Sequence, residues 1–222
     1  MATLGEYIPN ANTKLLLHLN GNSTDSSGNS NNGTDTSIIY SQANGRFGQG
    51  AGFNGTTSYI SVAHNANITF TDNFSVSFFL NTPTSASYKG FVSKGNIDNF
   101  NLLGWGIIKM LDDKIRFEWF PTLYTANRIL SNSGVLSNTW THCVVTVSSG
   151  TARMYIDGIQ QTATASFVTN SDNNALIIGA SSSGLDQFNS GKIDEVIVEN
   201  VAWSAAKIAK YYTMTKGRFG IV

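Results

Sequence analysis

The chain has 222 residues, 14 basic and 14 acidic side chains, and a charged fraction of only 13%. So balanced and sparse a charge removes the attraction that draws proteins to nucleic acid or anionic lipid, and neither is expected as a partner. One cysteine excludes an internal disulfide, and no apolar run is long enough to insert into a membrane.

The N-terminus lacks a basic segment followed by an apolar stretch, so no secretory signal is expected. The first strand signal is Leu15-Leu16-Leu17-His18-Leu19, and residues 20–34 then form a polar loop of mostly Asn, Ser, Gly and Asp. Strand signals resume at residues 37–40, at Gly52-Phe53 and at 57–62, with Asn54-Gly55 predicting a tight hairpin between the last two. Residues 74–80 alternate Phe74, Val76 and Phe78 with Ser75, Ser77 and Phe79, which predicts one clearly apolar face.

Further strands are predicted at 90–94, 101–108, 114–120, 126–130, 140–147, 152–156, 159–163, 175–179 and 192–199. Turns fall at Leu111-Asp112-Asp113, Ser148-Ser149-Gly150 and Asp157-Gly158, the last being the sharpest hairpin signal in the chain. Helical spacing begins only after Trp203: Ser204 caps a helix over 205–212 with Ile208, Tyr211 and Tyr212 inward and Lys207 and Lys210 toward water. Roughly thirteen strands and one helix predict an all-β fold, an antiparallel two-sheet β-sandwich with one short C-terminal helix. A single domain over residues 1–222 is expected, with short tails at both ends.

No catalytic constellation emerges. Cys143 lies in an apolar run as a small buried hydrophobe, and His142 beside it points to the opposite face of the strand. Glu195 and Glu199 share a face but lie about 13 Å apart along an extended strand, too far for a glycosidase pair. The loop after the first strand offers the Asp25 carboxylate, amide oxygens of Asn20, Asn22 and Asn29, and carbonyls near Gly28, the oxygen-rich set that a hard cation such as calcium requires. Asp194 opens a buried strand and needs a compensating partner. The alternative is that Asp25 organises a turn and Asp194 accepts backbone N–H groups.

Binding is the remaining chemistry. Sugars use aromatic faces and short polar side chains, and the stretch from Trp105 to Arg128 contains both. Phe117 and Trp119 share one face, with Arg116, Glu118 and Phe120 on the other; alternation leaves open whether Trp119 is core or a sugar platform. Asp98, Asn99 and Asn101 form a loop able to meet hydroxyls, and Tyr124 and Arg128 complete the candidate ligand set.

The string from Leu16-Leu17-His18-Leu19-Asn20-Gly21 through Asp25-Ser26-Ser27-Gly28, with Gly52-Phe53-Asn54-Gly55, Trp140-Thr141-His142, Met154-Tyr155-Ile156-Asp157-Gly158 and Gly191-Lys192-Ile193-Asp194-Glu195-Val196, resembles laminin-G-like domains of the concanavalin A-like lectin/glucanase superfamily. The resemblance implies a concanavalin A-like jelly roll and, as a cofactor, a structural calcium ion joining Asp25 to Asp194. The function expected first is a non-catalytic binding module for carbohydrate, with a glycan or other surface polymer as partner. The alternative is a structural or decoration subunit of a virus particle, self-associating, with or without glycan binding. Such a protein works on a virion or is released outside a cell.

Overall fold

The computed structural model describes residues 6–70, 72–96, 103–122, 125–168, 173–181 and 186–217. In chain order the strands are β1 (Thr13–Leu17), β2 (Gly33–Thr36), β3 (Ile39–Ser41), β4 (Gly50–Asn54), β5 (Tyr59–Val62), β6 (Phe74–Asn81), β7 (Lys89–Asn96) and β8 (Leu103–Lys109). They continue as β9 (Lys114–Thr122), β10 (Thr125–Gly134), β11 (Thr141–Ser148), β12 (Thr151–Ile156), β13 (Ile159–Ser166), β14 (Leu176–Ile178) and β15 (Ser190–Glu199), followed by α1 (Ala205–Lys216). The strands form two antiparallel sheets. One runs β13-β12-β11-β6-β15-β4-β3, with β1 also paired to β15; the other runs β10-β9-β8-β7-β14-β5-β2.

The two sheets close on one apolar interior. Phe74, Val76 and Phe78 of β6 point into it and meet Phe91, Trp105 and Phe117 from the opposite sheet. Strand β15 is the keel of its sheet: β6 follows one edge, while β4 pairs with residues 190–193 and β1 with 196–199 on the other. A bulge between Asp194 and Ile197 separates the two halves.

Two hairpins match the sequence reading. Asp157 and Gly158 hold φ values of 51° and 79°, and Ser149 and Gly150 hold 48° and 67°, the left-handed pairs that a two-residue hairpin requires. Asn54-Gly55 behaves differently. Strands β4 and β5 lie in different sheets, so this turn carries the chain across the sandwich instead of closing a hairpin. The Asn54 side-chain oxygen accepts the N–H groups of Thr56, Thr57 and Ser58, which fixes the crossing.

The second face of β6 is buried too, contrary to simple alternation. Ser75, Ser77 and Phe79 lie beneath a small outer layer in which Tyr7, Trp203, Ile208 and Tyr211 pack on Leu16, Val144 and Ile197. Ser204 caps α1 through Lys207 N–H at 3.2 Å, as expected. Lys207, however, turns inward: its ammonium lies 4.1 Å over the Trp203 ring and 2.9 Å from both Glu199 and the Tyr7 hydroxyl. Glu199 also accepts from Tyr7, Asn10, Thr13 and the Trp203 indole, so five donors surround one buried carboxylate. No helix among the described residues is long and apolar enough to cross a membrane.

Candidate functional site

While the outer face of the eight-stranded sheet is roofed by α1, the seven-stranded sheet directs Arg116, Glu118, Phe120, Ile108 and Arg128 away from the core. The register requires this, because Phe117, Trp119, Ile107 and Ile129 on the same strands enter the shared interior. Arg116 bridges to Glu118 at 2.9 Å and lies 5.6 Å over the ring of Tyr88, while Ile108 and Phe120 pack with Tyr88 and Met110. Arg128 stands exposed opposite Glu118 across the β9–β10 ladder.

At the Tyr88 end this face opens into a cleft of about 460 Å³ lined by Ser87, Tyr88, Lys89, Asp186, Gln187 and Phe188. Three separated loops meet there. Gly90 N–H donates to the Gln187 carbonyl at 2.7 Å, tying the loop before β15 to the start of β7. Gln187 takes φ 51°, and its N–H is held by the Asp186 carboxylate at 2.7 Å. Tyr59 supports Phe188 with ring centroids 6.5 Å apart. Burial, and then the neighbouring charge of Lys109, lowers the Lys89 ammonium below the ordinary lysine range. Two half-buried rings flanked by a hydroxyl, a carboxylate, an amide and an ammonium suit a ligand with apolar C–H faces and many hydroxyls.

The ligand residues predicted from sequence are not all in this cleft. Trp119 is fully buried in the core, so it offers no face to a ligand; Arg128 lies on the exposed face; and Asp98, Asn99, Asn101 and Tyr124 fall outside the described residues. Sequence reasoning missed Tyr88, Asp186 and Phe188. Their only signal was an aromatic ring beside Ser, Lys or Asp in the connections between strands, where periodicity is silent.

The oxygen set proposed for calcium is dispersed into separate hydrogen-bond networks. Asp25 accepts from Leu16, Ser27 and Asn31 N–H groups and from the Ser27 hydroxyl, at 2.8–3.0 Å. Its four acceptor positions are thereby filled, the role of a carboxylate that organises a turn. Asn20 accepts from Gln49 N–H and Asn22 from Thr24 N–H, and Gly28 is exposed at φ 87°. Asp194 instead accepts Arg46, Phe47 and Glu195 N–H groups, and burial raises its carboxyl well above the ordinary range despite them. Asp25 and Asp194 thus lie in separate networks, each holding backbone N–H groups.

A different group converges nearby. Glu6, His18 and Glu195 bring one donor atom each to within 4.8 Å of one another. His18 Nδ1 lies 2.5 Å from Glu195, and although burial disfavours the imidazolium, the bond and charge of Glu195 leave its pKa raised.

A sequence profile described as that of the concanavalin A-like lectin/glucanases superfamily matches residues 54–209. No curated protein sequence matches the chain. The fold is similar to the binding domain of Paraclostridial Mosquitocidal Protein 1, with a TM-score of 0.74, 19% identity, and coverage of 90% of this chain and 52% of that one. It is similar also to the botulinum neurotoxin serotype D binding domain, at TM-score 0.70 and 18% identity over 91% and 51% of the two chains. Domain 4 of AbnA, a GH43 extracellular arabinanase from Geobacillus stearothermophilus solved in complex with arabinotriose, gives TM-score 0.65 and 19% identity over 90% and 98%. The chain spans about half the length of the toxin binding domains. With the profile covering most of its length, this chain belongs to the concanavalin A-like lectin/glucanase superfamily.

Proposed function

We propose that this chain is a non-catalytic binding module that takes carbohydrate in the cleft between Tyr88 and Phe188. The observation that carries the reading is the pairing of two accessible rings with Asp186, Gln187, Lys89 and Ser87 around one open cavity. An aromatic face packs against the C–H patches of a pyranose or furanose while the short polar groups meet its hydroxyls. The arabinanase domain supports it, since a sandwich of nearly the same extent was solved with a trisaccharide. The toxin binding domains support the broader reading of a module devoted to attachment.

Calorimetric titration with arabinotriose, preceded by a glycan array to widen the panel, tests the proposal. Tyr88→Ala and Phe188→Ala are each expected to weaken a bound glycan at least tenfold, a factor corresponding to about 1.4 kcal/mol. A glycan that binds equally well to both variants would place the site elsewhere. An array with no binder would remove carbohydrate as the ligand class.

A further inference from the structure

We propose that Glu6, His18 and Glu195 form a binding site for a divalent first-row transition cation, with zinc the ion to which this donor set is best suited. The three residues come from distant parts of the chain: the segment before β1, the residue that follows β1 and the bulge of β15. Each offers one ligand atom, and all three lie within 4.8 Å of one another. An ion held at about 2.0–2.2 Å from imidazole nitrogen and carboxylate oxygen places its donors roughly 3 Å apart, so small rotations of these side chains suffice to bracket it.

The surroundings fit an ion of this kind. Glu195 is completely buried, and Tyr7 N–H donates to its second oxygen at 3.1 Å, which orients the carboxylate as an outer-shell partner does in metal sites. Asn20 performs the same service for Glu6 through its side-chain amide. His18 is only partly covered, and the group opens onto a cavity of about 440 Å³ lined by Glu6, His18, Asn20, Asn22, Thr24 and Ser26. That cavity supplies both an entrance and room for water to complete the coordination sphere.

A second observation comes from α1. The Tyr211 hydroxyl is buried and makes no hydrogen bond, and its ring packs edge-on against Tyr7 at 5.7 Å, the residue that holds Glu195. Glu195, Asp194 and Glu6 are the carboxylates whose charge acts on it. A polar group left in this field is suited to meet a water bound to the ion.

Backbone geometry holds the donors in place. Glu195 takes φ 51° at the bulge, and Leu19, directly after His18, takes φ 58°. The imidazole nitrogen selects against calcium and magnesium, which favour oxygen throughout.

The experiment is titration calorimetry of the full chain with zinc chloride and separately with calcium chloride, together with thermal melting before and after EDTA. One zinc per chain is expected, with a midpoint raised by roughly 5 °C at saturating metal. Weakening of at least tenfold is expected in His18→Gln and in Glu6→Gln, the two variants least disturbing to the core. X-ray absorption at the zinc edge of the unmodified protein, a readout independent of any variant's folding, is expected to show one imidazole among nitrogen and oxygen donors. No heat beyond dilution with zinc, undiminished binding by a folded His18→Gln, or equal affinity for calcium would each overturn the assignment.

Discussion

Acidification between pH 7 and pH 5 is expected to remove about 2 kcal/mol of stability through His142 alone. The imidazole lies beneath α1, stacked on Phe79 with centroids 4.6 Å apart and flanked by Tyr211 and Tyr212. Its Nε2 is 2.9 Å from the Ser77 hydroxyl, and its Nδ1 is buried without a hydrogen-bond partner. Burial, and secondarily the positive charge of Arg46, pushes its pKa down to about 3. The folded chain therefore keeps it neutral, whereas the unfolded chain protonates it near pH 6.5. Stability is then full above about pH 6.5 and declines below it, because the unfolded state takes up the extra proton. At pH 5 the gap of about 1.5 pH units corresponds to about 2 kcal/mol, or roughly 4–8 °C of melting temperature for a chain of this size. The raised carboxyls of Asp157 and Glu195 act in the opposite direction, gaining stability as pH falls, so the difference from His142→Gln is the quantity to read. Calorimetric melts of both proteins across pH 5–7 supply it. Parallel profiles would refute the reasoning.

Three further outcomes concern the fold. Glu199→Gln disturbs a carboxylate shared by Tyr7, Asn10, Thr13, Trp203 and Lys207, and a loss of roughly 3–5 kcal/mol in urea unfolding is expected. Although burial opposes it, the bonds from Tyr7, Lys207 and Asn10 leave the Glu199 pKa lowered. Its contribution is therefore present above about pH 4.5 and lost as pH falls further. Gly179→Ala places a Cβ 2.0 Å from the Phe53 ring at φ 85°, so a drop in urea midpoint corresponding to about 2 kcal/mol or more is expected; an unchanged midpoint would contradict this backbone path. Trp119→Ala is expected to cost about 3–5 kcal/mol in the same assay and Arg128→Ala less than about 0.5. Equal costs would contradict the assigned faces of β9 and β10.

Much of this architecture is legible in residue order because strand alternation and turn chemistry are local. Asp157-Gly158 and Ser148-Ser149-Gly150 specify their own hairpins, and Phe74, Val76 and Phe78 declare an inner face. Layering is not local. Asn54-Gly55 has the composition of a hairpin, yet its sheet assignment depends on β15 and β14 far along the chain. Ser75, Ser77 and Phe79 read as a solvent-facing set until α1 and Tyr7 cover them, and Lys207 reads as solvent-facing until Glu199 draws it in.

The candidate sites are less legible still. Tyr88 and Phe188 are separated by a hundred residues and meet only because β7 and the loop before β15 are bonded through Gly90 and Gln187. In β15 the bulge alters the pattern from which the direction of Glu195 would be read, and no periodicity announces a bulge. Asp25 and Asp194 were conspicuous as acids in polar or strand-opening contexts, but each is consumed by backbone donors.

The clasp of Tyr7 against Trp203 and Lys207 brings the approach to β1 and the departure from β15 onto the same side of the sandwich. Trimming either segment would strip shelter from the other, so the two flanks are expected to be protected or digested by a protease together.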